Sequence, residues 1–239
     1  SVLVAALIVV EATALTALVV RGRRAWRAGR AVAATAPGPV AVVEHAVIAA
    51  GAPRALAGLL ATDLVVLTYA TTGWFRRAPR AGFAMHRRKH RAAIVGLLVG
   101  LIAVETAALH VVLAGWSAPL AWASTASAAY LALWMIADLH VLRLAPLRVT
   151  PTAVVGAVGV RWRLDVPRDA IAAVTAIDAV PPGALAAIVG EPTVLLTLRR
   201  PVEVRGVLGR RRTATAIALT IDAPDAFIAA LAPDAADRA

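Results

Sequence analysis

The chain has 239 residues, 60% of them hydrophobic and 16% charged, with mean hydropathy +0.77 and no cysteine. That apolar excess over the roughly 45–50% of a soluble domain marks an integral membrane protein, and the missing cysteine excludes disulfides, iron–sulfur clusters and thiolate metal sites. The net charge of +11 is uneven, with 14 Arg and Lys against five acids in residues 1–143 and 11 against nine in 144–239, a distribution suited to orientation signals and lipid headgroups rather than to nucleic acid.

Four stretches, Ser1–Val20, Ala55–Phe75, Ala92–Leu113 and Ala118–Leu142, reach the ~20 residues that a hydrocarbon core demands. In the first, eleven Val, Leu or Ile residues outweigh Glu11. Its cations follow the apolar run instead of preceding it, so it reads as a retained helix and not as a signal peptide. Arg21, Arg23, Arg24, Arg27 and Arg30 come next, with Trp26 among them. The stretch Ala31–Ala50 is ambiguous, because Pro37, Pro39, Glu44 and His45 interrupt its apolar residues. If it crosses, there are five spans; if it lies at the interface, there are four. The arginine clusters at 21–30 and at Arg76, Arg77, Arg80, Arg87, Arg88, Lys89 and Arg91 should share the cytoplasmic side, which favours five. The turn Gly115–Pro119 carries no cation and is expected outside. The last span then delivers the C-terminal part to the cytoplasm.

Beyond Arg143 short alternating runs begin. Val158–Asp165 sets Val160, Trp162 and Leu164 against Arg161, Arg163 and Asp165, as a half-buried strand does. Val174–Ile177, Thr193–Leu198, Val202–Arg205 and Thr213–Ile221 read likewise, with Pro181–Pro192 a loop and Gly209–Arg212 a basic turn. Asp222 is the expected N-cap of an amphipathic helix over Pro224–Leu231. The fold class is therefore α+β: a polytopic helical bundle of four or five spans over 1–143, a small β domain with a C-terminal helix over 147–232, and a disordered tail at 233–239.

The run from Leu147-Arg-Val-Thr-Pro through Val158-Gly-Val-Arg-Trp-Arg-Leu-Asp-Val-Pro resembles the opening strands of bacterial PH-like domains that follow membrane spans. The closing stretch from Pro201-Val-Glu-Val-Arg-Gly to Ile221-Asp-Ala-Pro-Asp-Ala-Phe does so too. The upstream Val104-Glu-Thr-Ala-Ala-Leu-His110, with Asp138 ending the last span, is similar to uncharacterised multi-pass bacterial membrane proteins. The resemblance spans about the last 150 residues. It implies strands closed by a helix, and no activity.

Chemistry can only come from ionisable groups in or near the spans, which are costly there and need partners. Glu105, His110, Asp63 and Asp138, with Glu11 to complete them, form the candidate metal set, of a kind that suits a divalent Zn, Mn or Fe ion. Yet no Glu-x-x-His pair exists, and Glu105 and His110 stand about 140° apart on a helix. Asp138 and His140, about 200° apart, should not both face a core while the helix continues. His86 and His90 have zinc-like spacing, but Arg87, Arg88 and Lys89 between them favour lipid headgroups, as do Arg210, Arg211 and Arg212. Gly96 and Gly100 form a G-x-x-x-G that permits close helix packing or a homo-oligomer. The expected partners are thus the bilayer, its anionic lipids, and another copy or another membrane protein. The leading expectation is a multi-pass protein of the cytoplasmic membrane whose cytoplasmic β domain is a scaffold or assembly module. The alternatives are a membrane enzyme with an intramembrane Glu/Asp/His metal centre, and a proton- or ion-coupled carrier.

Overall fold

The computed structural model describes residues 2–79, 81–85, 91–188 and 190–232, and the side chains of 2–15, 18 and 208 fall outside that description. Glu11 therefore has a described backbone only, and His86, Arg87, Arg88, Lys89, His90 and the tail 233–239 lie outside the described residues altogether.

Five helices open the chain: α1 (Val2–Val32), α2 (Pro39–Ala49), α3 (Arg54–Thr72), α4 (Arg91–Ala114) and α5 (Ala118–Leu144). A 3-10 turn, Gly73–Phe75, prolongs α3. Three segments, Arg54–Phe75, Arg91–Ala114 and Ala118–Leu144, are long and apolar enough to cross a membrane. They fall within two residues of the runs expected from the sequence. The stretch Ala31–Ala50 is split between the end of α1, a turn, and α2. Pro39 starts α2 at a position where its missing N–H costs nothing. With 11 residues α2 rises only about 16 Å, half of a hydrocarbon core. It is too short to be a span by itself.

Gly29 of α1 lies close to Val42 and Ala46, so α1 and α2 form a hairpin. Tyr130 of α5 donates to Asp63 of α3 at 2.6 Å. Ten residues further along both helices, His140 lies against Gly73, so α3 and α5 run in the same direction. The α4–α5 pair is an antiparallel hairpin, linked where His110 meets Thr125 at 2.7 Å.

Seven strands form one sheet: β1 (Arg148–Val149), β2 (Ala153–Val158), β3 (Trp162–Pro167), β4 (Ile171–Ala176), β5 (Leu185–Ala187), β6 (Val194–Arg205) and β7 (Arg211–Leu219). Their order is β1-β2-β3-β6-β7-β5, with β4 paired to β6. All pairs are antiparallel except β5 with β7. Helix α6 (Pro224–Leu231) closes the region and buries Phe227.

The strands differ from the sequence expectation in several places. Neither β1 nor β2 before Val158 lies among the expected strands, and Arg211 and Arg212, expected in a basic turn, begin β7. Val158–Asp165 is not one strand, because Gly159 turns the chain at φ +61° between β2 and β3. Thr193–Leu198, from Val194 on, and Val202–Arg205 fall in a single strand, β6, whose pairing with β7 shifts register between Thr197 and Val202. Pro201 sits in that shift, where no ladder N–H is needed. The three residues of β5 lie inside the expected loop Pro181–Pro192. Asp222 is not the N-cap of α6; that position is Ala223, and the Asp222 N–H donates to the Ala84 carbonyl at 2.9 Å.

The main core packs Leu164, Leu196, Val204, Ile217, Leu219 and Phe227 inside the sheet. It also draws Met85 and Leu142 from the helical half. Phe83 bridges to Leu147 through paired backbone hydrogen bonds and meets Phe227 edge-on at 5.0 Å. The connection leaving α3 is thus woven into the β domain. A second core lies between the two halves, where Ala61, Val65, Val66, Ala137 and Val141 of α3 and α5 meet Ala157 and Val160.

Candidate functional site: the junction of helices and sheet

Strand β2 reads Ala-Val-Val-Gly-Ala-Val, and all six residues are buried. A strand with one wet face alternates, whereas a continuous apolar run needs cover on both faces. Val154 and Val158 point into the sheet core, and Ala157 faces α2, α3 and α5. The fit is close: a Cβ on Gly38, ahead of α2, would stand 2.5 Å from the Ala157 Cβ.

Two carboxylates on helices pin this contact. Asp138, near the end of α5 and only 8% exposed, accepts the Val160 N–H at 2.9 Å and an Arg161 guanidinium N–H at 3.1 Å. Gly159 makes that possible, because a Cβ there would stand 1.9 Å from Asp138 Oδ1. Glu44, in the middle of α2, pairs with Arg163 of β3, whose side chain is buried, and lies 3.8 Å from Arg205 of β6. Arg163 is directly opposite Arg205, and Arg205 is opposite Arg211. Like charges facing each other across strands repel. Glu44 from α2 and Glu203, which lies 3.9 Å from Arg205 and 3.4 Å from Arg211, offset that repulsion. The sheet needs an acid from the helical half to hold its own arginines.

His140 is buried as well, although Asp138 two residues earlier faces the sheet. The helix continues to Leu144, so the expectation that only one of the two could be buried fails. Its reason is that α5 is covered on two sides here: Gly159–Arg161 encloses Asp138, and the turn after α3 encloses His140. Trp74 meets the imidazole edge-on at 4.5 Å, and Gly73 comes so close that a Cβ would stand 2.4 Å from its Cγ. Arg143 donates to the carbonyls of Gly73 and Arg76, fixing that turn. Neither ring nitrogen of His140 has a hydrogen-bond partner among the described residues.

Asp63, Glu105, His110 and Asp138, the described side chains among those singled out for metal chemistry, occupy separate places. Asp63 accepts from Tyr130, and His110 from α4 bonds to Thr125 of α5 and meets Trp122 edge-on at 4.9 Å. Thr125 gives its own proton to the Ala121 carbonyl at 3.0 Å, so the imidazole N–H donates to the threonine oxygen. Glu105 is exposed on α4, and Asp138 serves the junction. Among the described residues no group of three or more His, Asp or Glu stands where it could hold a metal ion. Arg210, Arg211 and Arg212 are exposed; Arg211 pairs with Glu203, and Arg212 lies over the Trp162 ring at 5.8 Å.

Sequence reasoning missed Arg163 and Gly159. Arg163 sits at a position that alternation assigns to solvent, and only the presence of Glu44 in the helical half hinted at a partner. No family model, curated protein or solved structure matches this chain.

Proposed function

We propose that the chain is a membrane-anchored scaffold, whose β domain is held in one orientation at the cytoplasmic face as an assembly module. The observation that carries this reading is the burial of every β2 residue together with the Glu44–Arg163 and Asp138–Val160 contacts. A domain tethered only by a linker would keep a polar outer face on that strand. A module that presents partners at a fixed angle needs the opposite, and the exposed Thr175, Arg199 and Arg200 lie on β4 and on the part of β6 that precedes the junction residue Arg205. Seven strands and a closing helix are also the element set that a PH-like domain would use.

The same reading carries a topology. Trp26 of α1 and Arg76 after α3 line one cavity, so both arginine clusters lie on one side. Helix α2 is too short to cross, and α3 has one face covered by α2, α5 and the β domain. Helix α2 and its connection carry the chain to the start of α3, and α3 then runs beside α5 in the same direction, so that α3, α4 and α5 cross together. In the cysteine-free chain, Arg77→Cys should react with a membrane-impermeant maleimide only in inverted vesicles and Ala114→Cys only in intact cells. The reverse pattern would refute this topology.

The scaffold is tested by placing a photoreactive residue at Ala172, Thr175 or Arg200 in cells. A discrete adduct with a second membrane-bound polypeptide is expected, and it should vanish in the Glu44→Ala background while the chain still inserts. No adduct from any of the three sites would overturn the reading.

A further inference from the structure

A cavity of about 690 Å³ opens between the α1–α2 hairpin, the ends of α3 and α5, and the first strands of the β domain. Its volume lies within the roughly 300–1,000 Å³ of small-molecule sites. One part of its wall is apolar, with Trp26, Val42, Val43, Val65 and Leu144. The other part is cationic and hydroxylated, with Arg76, Arg148, Tyr69 and Thr68. We propose that this cavity binds the headgroup and upper chain of an anionic membrane phospholipid, with Arg76 as the phosphate ligand. This goes beyond the scaffold reading and shares with it only the placement of the helices in a bilayer.

Three observations support the assignment. First, the cavity sits where the apolar part of two candidate spans ends, at Phe75 and Leu144, and where Arg76, Arg77, Arg143 and Arg148 begin. That is the depth at which headgroup phosphates lie. Second, its cations are not matched by protein anions. Among the described residues neither Arg76 nor Arg148 pairs with a carboxylate, since Glu44 and Asp138 are directed to the junction. Third, the cations are held in place. The Arg76 guanidinium rests over the Tyr69 ring at 5.1 Å, and its backbone carbonyl accepts from Arg143. Arg148 donates to the carbonyls of Ala34 and Ala36 at 2.6 and 3.1 Å, which ties the cavity wall to the end of α1. A guanidinium fork so fixed suits a phosphate oxyanion, and the tryptophan and valines beside it suit the first methylenes of a chain.

The full chain in phosphatidylcholine nanodiscs should bind water-soluble hexyl phosphate at one site per chain, at least tenfold more tightly than inorganic phosphate or hexanol. Arg76→Gln should weaken that binding at least tenfold, Arg76→Lys less, and Arg77→Gln, outside the cavity, not at all. Val43→Trp should fill the cavity and abolish binding; Thr68→Trp serves the same purpose if the first variant does not fold. Nanodiscs containing phosphatidylglycerol should lower the apparent affinity for hexyl phosphate by competition. Equal binding by Arg76→Gln, equal affinity for inorganic phosphate, or no competition from phosphatidylglycerol would overturn the assignment. A photocrosslinking failure at β4 and β6 would leave these results untouched, so the two readings fail separately.

Discussion

Helix α4 and strand β2 are both almost wholly apolar, yet none of the described residues of α4 is buried and every residue of β2 is. On α4, Leu97, Val104 and Val111 are 70–74% exposed, and apart from α5 no element packs extensively on it. It is long and apolar enough to cross a membrane. Strand β2 instead finds its second apolar environment in protein, between the sheet core and α2, α3 and α5. Apolarity in one chain thus belongs to a helix that the protein leaves uncovered and to a strand that it covers on both faces, and the difference is set by what accompanies it. Around β2 stand charged groups with exact complements, Glu44 with Arg163 and Asp138 with the Gly159–Arg161 turn. Along α4 after Arg91, Glu105, Thr106 and His110 interrupt the run, and His110 is satisfied within the hairpin.

That contrast breaks first at Glu44. Glu44→Ala leaves Arg163 buried without its anion beside two other arginines, which should cost about 3–5 kcal/mol. The measurement is chemical unfolding in detergent followed by near-ultraviolet circular dichroism, and a loss under about 1 kcal/mol would mean that the pair is not buried in solution. Gly159→Ala comes next. It places a methyl on Asp138 and a non-glycine residue at φ +61°, so a loss of at least about 1–3 kcal/mol is expected in the same assay. Asp63→Ala removes only the Tyr130 bond within the helical half, and about 0.6 kcal/mol should be lost. On the uncovered face of α4, Leu97→Ala should change stability by less than about 0.5 kcal/mol, because no protein atoms need to refill its place. A large effect there would show that α4 has a protein partner in the purified state.

How much of this was legible depends on which environment a residue meets. The three long apolar runs gave α3, α4 and α5 to within two residues, because length and hydropathy alone mark a long apolar helix. The β region was harder. Ala153–Val158 carries no alternation, so a strand covered on both faces looks like nothing in particular, and the alternation of Val158–Asp165 was carried across a glycine turn that it could not reveal. Glu44 entered the sequence reading as a cost to a fifth span, when its role is to neutralise an arginine more than a hundred residues away. Arg163 alternates as a solvent-facing residue should, and is buried because α2 covers it. Pairings of that sequence separation leave no local signal.

The docked junction is tested most directly by a double-mutant cycle on Glu44→Ala and Arg163→Ala. If the two side chains meet as a buried pair, the double variant should lose much less than the sum of the singles, with a coupling of roughly 1.5–3 kcal/mol. Losses that add within about 0.5 kcal/mol would contradict the contact, and with it the fixed presentation of the β domain.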